Sequence, residues 1–163
     1  MEILTNKKTV IALFTITGVL IIGSVVYSHC QLPCGIYDDD ARFNMIAENI
    51  TTIEKSMNMI NQLSGEQKPN MNQIVRWVQN KDTHADELSE IVTYYFMTQR
   101  ITPVEKTDAQ AYENYITKLT LLHKVLIAAM KSKQTTDLSF PKQLTELMTD
   151  FKKAYYEGAE HKH

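Results

Sequence analysis

Residues 38–65 read DDDARFNMIAENITTIEKSMNMINQLSG. Phe43, Ile46, Ala47, Ile50, Ile53, Met57 and Ile60 recur at intervals of three and four, which is the helical period and not the alternation of a strand. Three aspartates stand at the front, where one can cap the first free amides and the others meet the positive end of the helix dipole. Ser64 and Gly65 supply a stop. The stretch is therefore predicted to be one long amphipathic helix beginning at the Asp38–Asp40 cluster.

The same period continues to the C-terminus. Asn70 and Gln73 form a capping-box-like start to a second helix. Its apolar positions are Met71, Ile74, Val75, Val78, Ala85, Leu88, Ile91, Val92, Tyr95 and Phe96, and it ends before Pro103. Thr107 and Gln110 make another capping-box pattern, opening a third helix that carries Tyr112, Tyr115, Ile116, Leu119, Leu122, Val125, Leu126, Ala129 and Met130. Ser139, with Pro141 in the first turn, opens a fourth, carrying Leu144, Leu147, Met148, Phe151 and Tyr155. Four helices with short connections predict an all-α, antiparallel four-helix bundle over residues 38–163. No internal repeat or low-complexity segment interrupts it, and the methionine and aromatic stripes read as core.

Ahead of the bundle, Lys7 and Lys8 precede a run without charge, Thr9 to Ser28 (TVIALFTITGVLIIGSVVYS). A positive segment followed by an apolar one is the pattern of an export signal. Val26 and Ser28 frame a site for signal peptidase, so residues 1–28 are expected to be a signal peptide cleaved to leave His29 first. The other reading is an uncleaved anchor, since about 20 apolar residues suffice to span a bilayer. The protein is thus expected to be exported, periplasmic or extracellular, and membrane-tethered if the leader is retained. After residue 28 the chain carries 15 basic and 18 acidic residues, a balance without the basic stripe that nucleic-acid binding requires.

Between leader and bundle lie residues 28–38, SHCQLPCGIYD. The chain's two cysteines, Cys30 and Cys34, both fall here, so a local disulfide or a shared metal are the readings open to them. Cleavage after Ser28 would gather five donors: the amine and imidazole of His29, the amide and thiolate of Cys30, and the thiolate of Cys34. Thiolates with nitrogen donors in a plane suit Ni(II) or Cu(II), whereas zinc prefers a tetrahedron. Pro33 and Gly35 restrict and release the backbone torsions that return Cys34 toward such a centre.

The stretch 29–37 resembles the nickel-binding hook of nickel-containing superoxide dismutases, whose mature N-terminus follows H-C-x-x-P-C-G-x-Y. The resemblance implies a nickel ion held in a plane by the amine of His29, the amide nitrogen of Cys30 and the thiolates of Cys30 and Cys34. The His29 imidazole would be the axial ligand when the metal is oxidised. It implies a cis peptide bond at Leu32–Pro33 and a Tyr37 that stands over the open face and restricts entry. The implied activity is disproportionation of superoxide to oxygen and hydrogen peroxide through a Ni(III)/Ni(II) cycle, and the implied assembly is a homohexamer of four-helix subunits.

Two features depart from the family pattern. Gln31 stands where an acid is frequent, and the glutamate that pairs with an arginine to orient the axial histidine is met at the equivalent distance by Asn44 and Met45. Glu48 and Arg76 are the candidates for that pair, and Tyr95 is the candidate for a second tyrosine near the metal, with a core position as its alternative. His84 and His123 read as packing or surface residues, and the terminal His161 and His163 as a surface tail. Two further functions are consistent with the residues alone. One is a membrane-anchored helical interaction protein with a Cys30–Cys34 disulfide. The other is a carrier holding nickel or copper without turnover.

Overall fold

The computed structural model describes residues 38–157. Helix α1 runs Asp39–Ser64, α2 Met71–Glu90, α3 Ala109–Gln134 and α4 Ser139–Glu157. A π-helical segment, Ile91–Arg100, continues α2 without a break. The expected all-α bundle is what forms. No strand occurs among the described residues. No described helix is long and apolar enough to cross a membrane, while the leader and the C-terminal histidines lie outside the described residues.

Neighbouring helices run antiparallel, as the side-chain bonds between them show. Along α1 and α2, Asn80 reaches Ser56, His84 reaches Asn49 and Tyr95 reaches Asp39, so the numbering rises on one helix as it falls on the other. Asn61 bonds the Thr136 carbonyl just before α4, and Tyr155 at the far end of α4 bonds Asp39. Each helix packs on the next, and α4 closes the bundle against α1.

Local chemistry sets the ends. The Asp38 carboxylate accepts from the Ala41 amide at 2.9 Å, and the Asn70 side chain accepts from the Gln73 amide at 3.3 Å, so two helix starts fall where the sequence places them. The third start differs by one residue. Asp108, not Thr107, is the cap, accepting from the Ala111 amide at 3.0 Å, while Gln110 turns toward Asn114. A carboxylate at that position satisfies the free amides better than the neighbouring hydroxyl because its bond is charge-assisted. At Gly65 the helix ends as expected, but with φ −83°. The stop therefore uses a right-handed turn, its amide bonded back to Asn61 and Gln62, and needs no left-handed glycine.

The core is formed by the predicted faces, with exceptions on α1, α2 and α3. Ala47 is exposed and Asn49 is buried in its place, because Asn49 has a partner in His84. Met71 and Val75 on α2, and Ile116 and Met130 on α3, assigned to inner faces, stand in solvent, because they fall at the margins of the apolar stripe and turn away from the neighbouring helices. Near the α1 N-terminus the core is aromatic. Phe96 lies 4.8 Å from Phe43 and 5.1 Å, edge to face, from Phe151, with Tyr155 at 5.7 Å. Such tilted contacts add stabilisation beyond area burial. They also form a stiff floor under the polar cluster described next.

Candidate functional site

His29, Cys30, Cys34 and Tyr37 lie outside the described residues. Of the sequence-derived site residues within them, Tyr95 is buried and takes part in a polar cluster, whereas Glu48 and Arg76 are both exposed and no salt bridge joins them. The acid–arginine pair that forms at the start of α1 is instead Asp39 with Arg100.

Asp39 is the first residue of α1 and two positions beyond Tyr37 in the chain. Its carboxylate gathers three donors. Tyr95 donates its hydroxyl to Oδ1, in a short bond. Arg100 donates to Oδ2 at 2.8 Å and Tyr155 donates to the same oxygen at 2.7 Å. Arg100 also donates through Nε to the Tyr155 hydroxyl at 3.1 Å, which closes the ring of contacts. The Arg42 guanidinium lies 5.2 Å from the centre of the Tyr95 ring, within cation–π range. Beside this cluster Asp40 pairs with Lys152 at 2.8 Å and accepts from the Tyr156 hydroxyl at 3.1 Å.

The backbone explains the convergence. In an α-helix, residues five apart lie about 140° apart around the axis, which would send Tyr95 and Arg100 to different faces. The segment that carries them bonds with a longer step. Ile101 donates to the Phe96 carbonyl at 2.9 Å, and the Thr98 and Gln99 side chains close the same five-residue interval onto Thr93 and Tyr94. This wider turn brings both side chains to Asp39.

Proton affinities follow from the contacts. Burial acts to raise the Asp39 pKa, but the bonds from Arg100, Tyr95 and Tyr155 outweigh it and hold the carboxyl below its ordinary value. Burial, reinforced by the Asp39 charge, pushes the Tyr95 hydroxyl well above the ordinary tyrosine range. Burial and Asp39 together raise Tyr155 to about 12. The bond to Asp39 raises Arg100. At neutral pH the cluster is therefore a carboxylate and a guanidinium with two neutral phenols, of which Tyr155 bridges the two charges while Tyr95 donates to the carboxylate.

His84 and His123 behave as the sequence suggests. His84 donates through Nδ1 to Asn49 at 2.6 Å, and His123 is exposed. Among the described residues no group of three or more His, Cys, Asp or Glu side chains is placed to hold a metal ion. The donor set that suits nickel is that of residues 29–34: two thiols, an imidazole and, after cleavage, an amine. These soft sulfur and nitrogen donors fit that metal chemically.

Sequence reasoning missed Asp39 and Arg100. Asp39 was read only as one of three helix-start charges, and Arg100 carries no local signal, since its partner is 61 residues away.

Compared with known protein families, the chain matches the model described as nickel-containing superoxide dismutase over residues 24–159. That span takes in the HCQLPCGIY stretch and all four helices. No match to the chain is found among curated proteins or among solved structures.

Proposed function

We infer, because the chain belongs to the nickel-containing superoxide dismutase family, that its metal is held by the residues of its own hook, His29, Cys30 and Cys34. The protein is a nickel-dependent oxidoreductase that disproportionates superoxide. One observation carries the site assignment: the family match includes residues 29–37, where both of the chain's cysteines stand at the spacing of the H-C-x-x-P-C-G-x-Y pattern.

Bound nickel supplies a one-electron couple, so that one superoxide is oxidised to oxygen and a second is reduced and takes up two protons to leave as hydrogen peroxide. The chain's own residues supply the donors and the surroundings. Thiolates and an amidate are strong donors that stabilise the higher oxidation state. Thiolates beside peroxide are open to oxidation to sulfenic and sulfinic acids, so access to the hook has to be restricted. Tyr37, and Tyr95 as the second tyrosine, are the residues assigned to that restriction.

The amine ligand would exist only after cleavage at Ser28, which makes signal peptidase the maturation enzyme and places the mature protein outside the cytoplasm. A homo-oligomer, hexameric by resemblance to the family, is supported by apolar side chains in solvent on one face of α2, with Met71 63% and Val75 51% exposed. Intact-mass and metal analysis of protein recovered from an exporting host tests the reading. A chain beginning at His29 with stoichiometric nickel is expected. A full-length, metal-free chain two hydrogens light would instead identify a Cys30–Cys34 disulfide on an anchored protein.

A further inference from the structure

We propose that Met45 is a peroxide-reactive thioether, oxidised to its sulfoxide by the hydrogen peroxide that dismutation releases, with the Arg42 guanidinium assisting at its sulfur. The proposal rests on the dismutase activity alone, because peroxide is a small, neutral product that diffuses to any exposed side chain.

The bundle sorts its methionines by access. Met57 and Met148 are buried in the core, whereas Met45, Met71 and Met130 stand in solvent, at 43%, 63% and 46% exposure. Exposure by itself therefore ranks Met71 first and makes Met45 and Met130 a matched pair. A cation separates the two. Each has one at a distance of three residues, where side chains on a helix meet. Arg42 donates through Nη1 to the Met45 sulfur at 3.4 Å, and no salt bridge among the described residues includes Arg42. Beside it stands the Tyr95 ring, 5.2 Å from the guanidinium carbon, which holds the cation without neutralising it. Lys133 lines one cleft with Met130, but its ammonium group is committed to the two oxygens of Asp86, at 2.7 and 2.8 Å.

The step balances with the peroxide as its only reactant. A sulfur lone pair attacks one peroxide oxygen, the S–O bond forms as the O–O bond breaks, and the departing hydroxide takes the hydrogen from the oxygen now on sulfur to leave as water. Sulfur is oxidised by two electrons and the peroxide is reduced by two. Negative charge builds on the departing oxygen, so a guanidinium already in contact with the sulfur can donate to it and lower the barrier. The thioether is a weak acceptor, and the sulfoxide oxygen that replaces it gives Arg42 a stronger partner. Met45 contributes no core surface, so its change into a polar, chiral group leaves the packing intact, and the change is reversible by methionine sulfoxide reductases.

Peptide mapping by mass spectrometry tests this in the mature, nickel-loaded protein under two oxidant supplies: added hydrogen peroxide, and superoxide fed with or without catalase. With added peroxide Met45 is expected to oxidise severalfold faster than Met130, and ahead of Met71, while Met57 and Met148 stay unmodified and the circular-dichroism spectrum is unchanged. Arg42→Leu keeps the aliphatic bulk and removes the donors. It should bring Met45 down to the rate of Met130. Feeding superoxide should give the same ranking, and catalase should abolish it.

Oxidation of Met130 or Met71 ahead of Met45 in the wild-type protein would overturn the proposal, and that comparison decides even if Arg42→Leu fails to fold. A Met45 rate that a folded Arg42→Leu leaves unchanged would overturn it too. Met45 oxidation that persists under catalase would exclude released peroxide as the oxidant, with the same result. Superoxide decay that the protein does not accelerate would instead overturn the dismutase reading and the proposed source of the oxidant, while the ranking under added peroxide reports on Met45 by itself.

Discussion

Lys81 on α2 donates its ammonium group to the carbonyl oxygen of Ser132 at 2.7 Å, from a side chain only 3% exposed. The same group reaches the Lys133 carbonyl at 2.6 Å and Asp82 at 3.0 Å. The last carbonyls of a helix have no partner within it, and a cation there also meets the negative end of the dipole. Lys81 thus closes the α3 C-terminus from the neighbouring helix. Lys81→Met keeps the aliphatic stem and removes the donors. It is expected to lower unfolding free energy by about 2–3 kcal/mol, measurable by urea denaturation, with helicity at low temperature unchanged. A loss below about 0.5 kcal/mol would show that water replaces the ammonium without penalty.

The aromatic floor gives a contrast between neighbours in the chain. Phe96 is fully buried against Phe43, Phe151 and Tyr155, whereas Tyr94 is 49% exposed. Phe96→Ala removes a ring that its surroundings cannot collapse to fill and should cost about 3–5 kcal/mol. Tyr94→Ala should stay within about 0.5 kcal/mol. Thermal melts of the two variants check the pair directly. Similar losses in both would mean that the π-helical segment faces the core differently.

The same cluster gives the bundle a pH dependence with a defined sign at each end. Asp39 has its pKa lowered in the folded chain, so it contributes stability that is present above the ordinary carboxyl value of 3.8 and is lost as pH falls toward its folded value. Tyr155 has its pKa raised from 10.0 to about 12, so its contribution is present below pH 10 and is lost as pH rises toward 12. Melting temperature should therefore fall below about pH 4 and again above pH 10. Asp39→Asn should flatten the acid limb and Tyr155→Phe the alkaline one. An acid limb unaltered by Asp39→Asn would assign it to other carboxylates.

What could be read from the chain beforehand divides by range. Helix starts at Asp38 and Asn70 were legible because a cap acts on an amide three residues away. The inner faces of α1 and α4 were legible because burial follows the helical period. Lys81, Asn49 and Arg100 were not, because each is satisfied by a residue on another helix, and a charged or amide side chain scores as surface until its partner is known. The π winding left no trace either. IVTYYFMTQR has the apolar content of an ordinary helix, and its wider turn is held by tertiary bonds to Asp39. The hook was the reverse case. Its chemistry was legible from residue types at fixed spacing, without any fold.

That separation of hook from bundle yields the prediction that most directly tests the metal assignment. A chelate formed by the terminal amine and the next amide nitrogen depends on His29 being first. Inserting one alanine before His29 in the mature chain shifts the amine by one residue and replaces it at that position with an amide, a far weaker donor. Cys34→Ser replaces a thiolate with a neutral hydroxyl. Both changes should abolish stoichiometric nickel binding and dismutase activity. Neither touches residues 38–157, where the caps, the aromatic floor and the Asp39 cluster reside, so far-ultraviolet circular dichroism should be unchanged. Nickel content by mass spectrometry, read beside the spectrum, separates the possibilities. Retained nickel and activity in the alanine variant would mean that the amine is not a ligand. Loss of helicity would mean that the metal is needed to fold the bundle, and that hook and helices are a single cooperative unit.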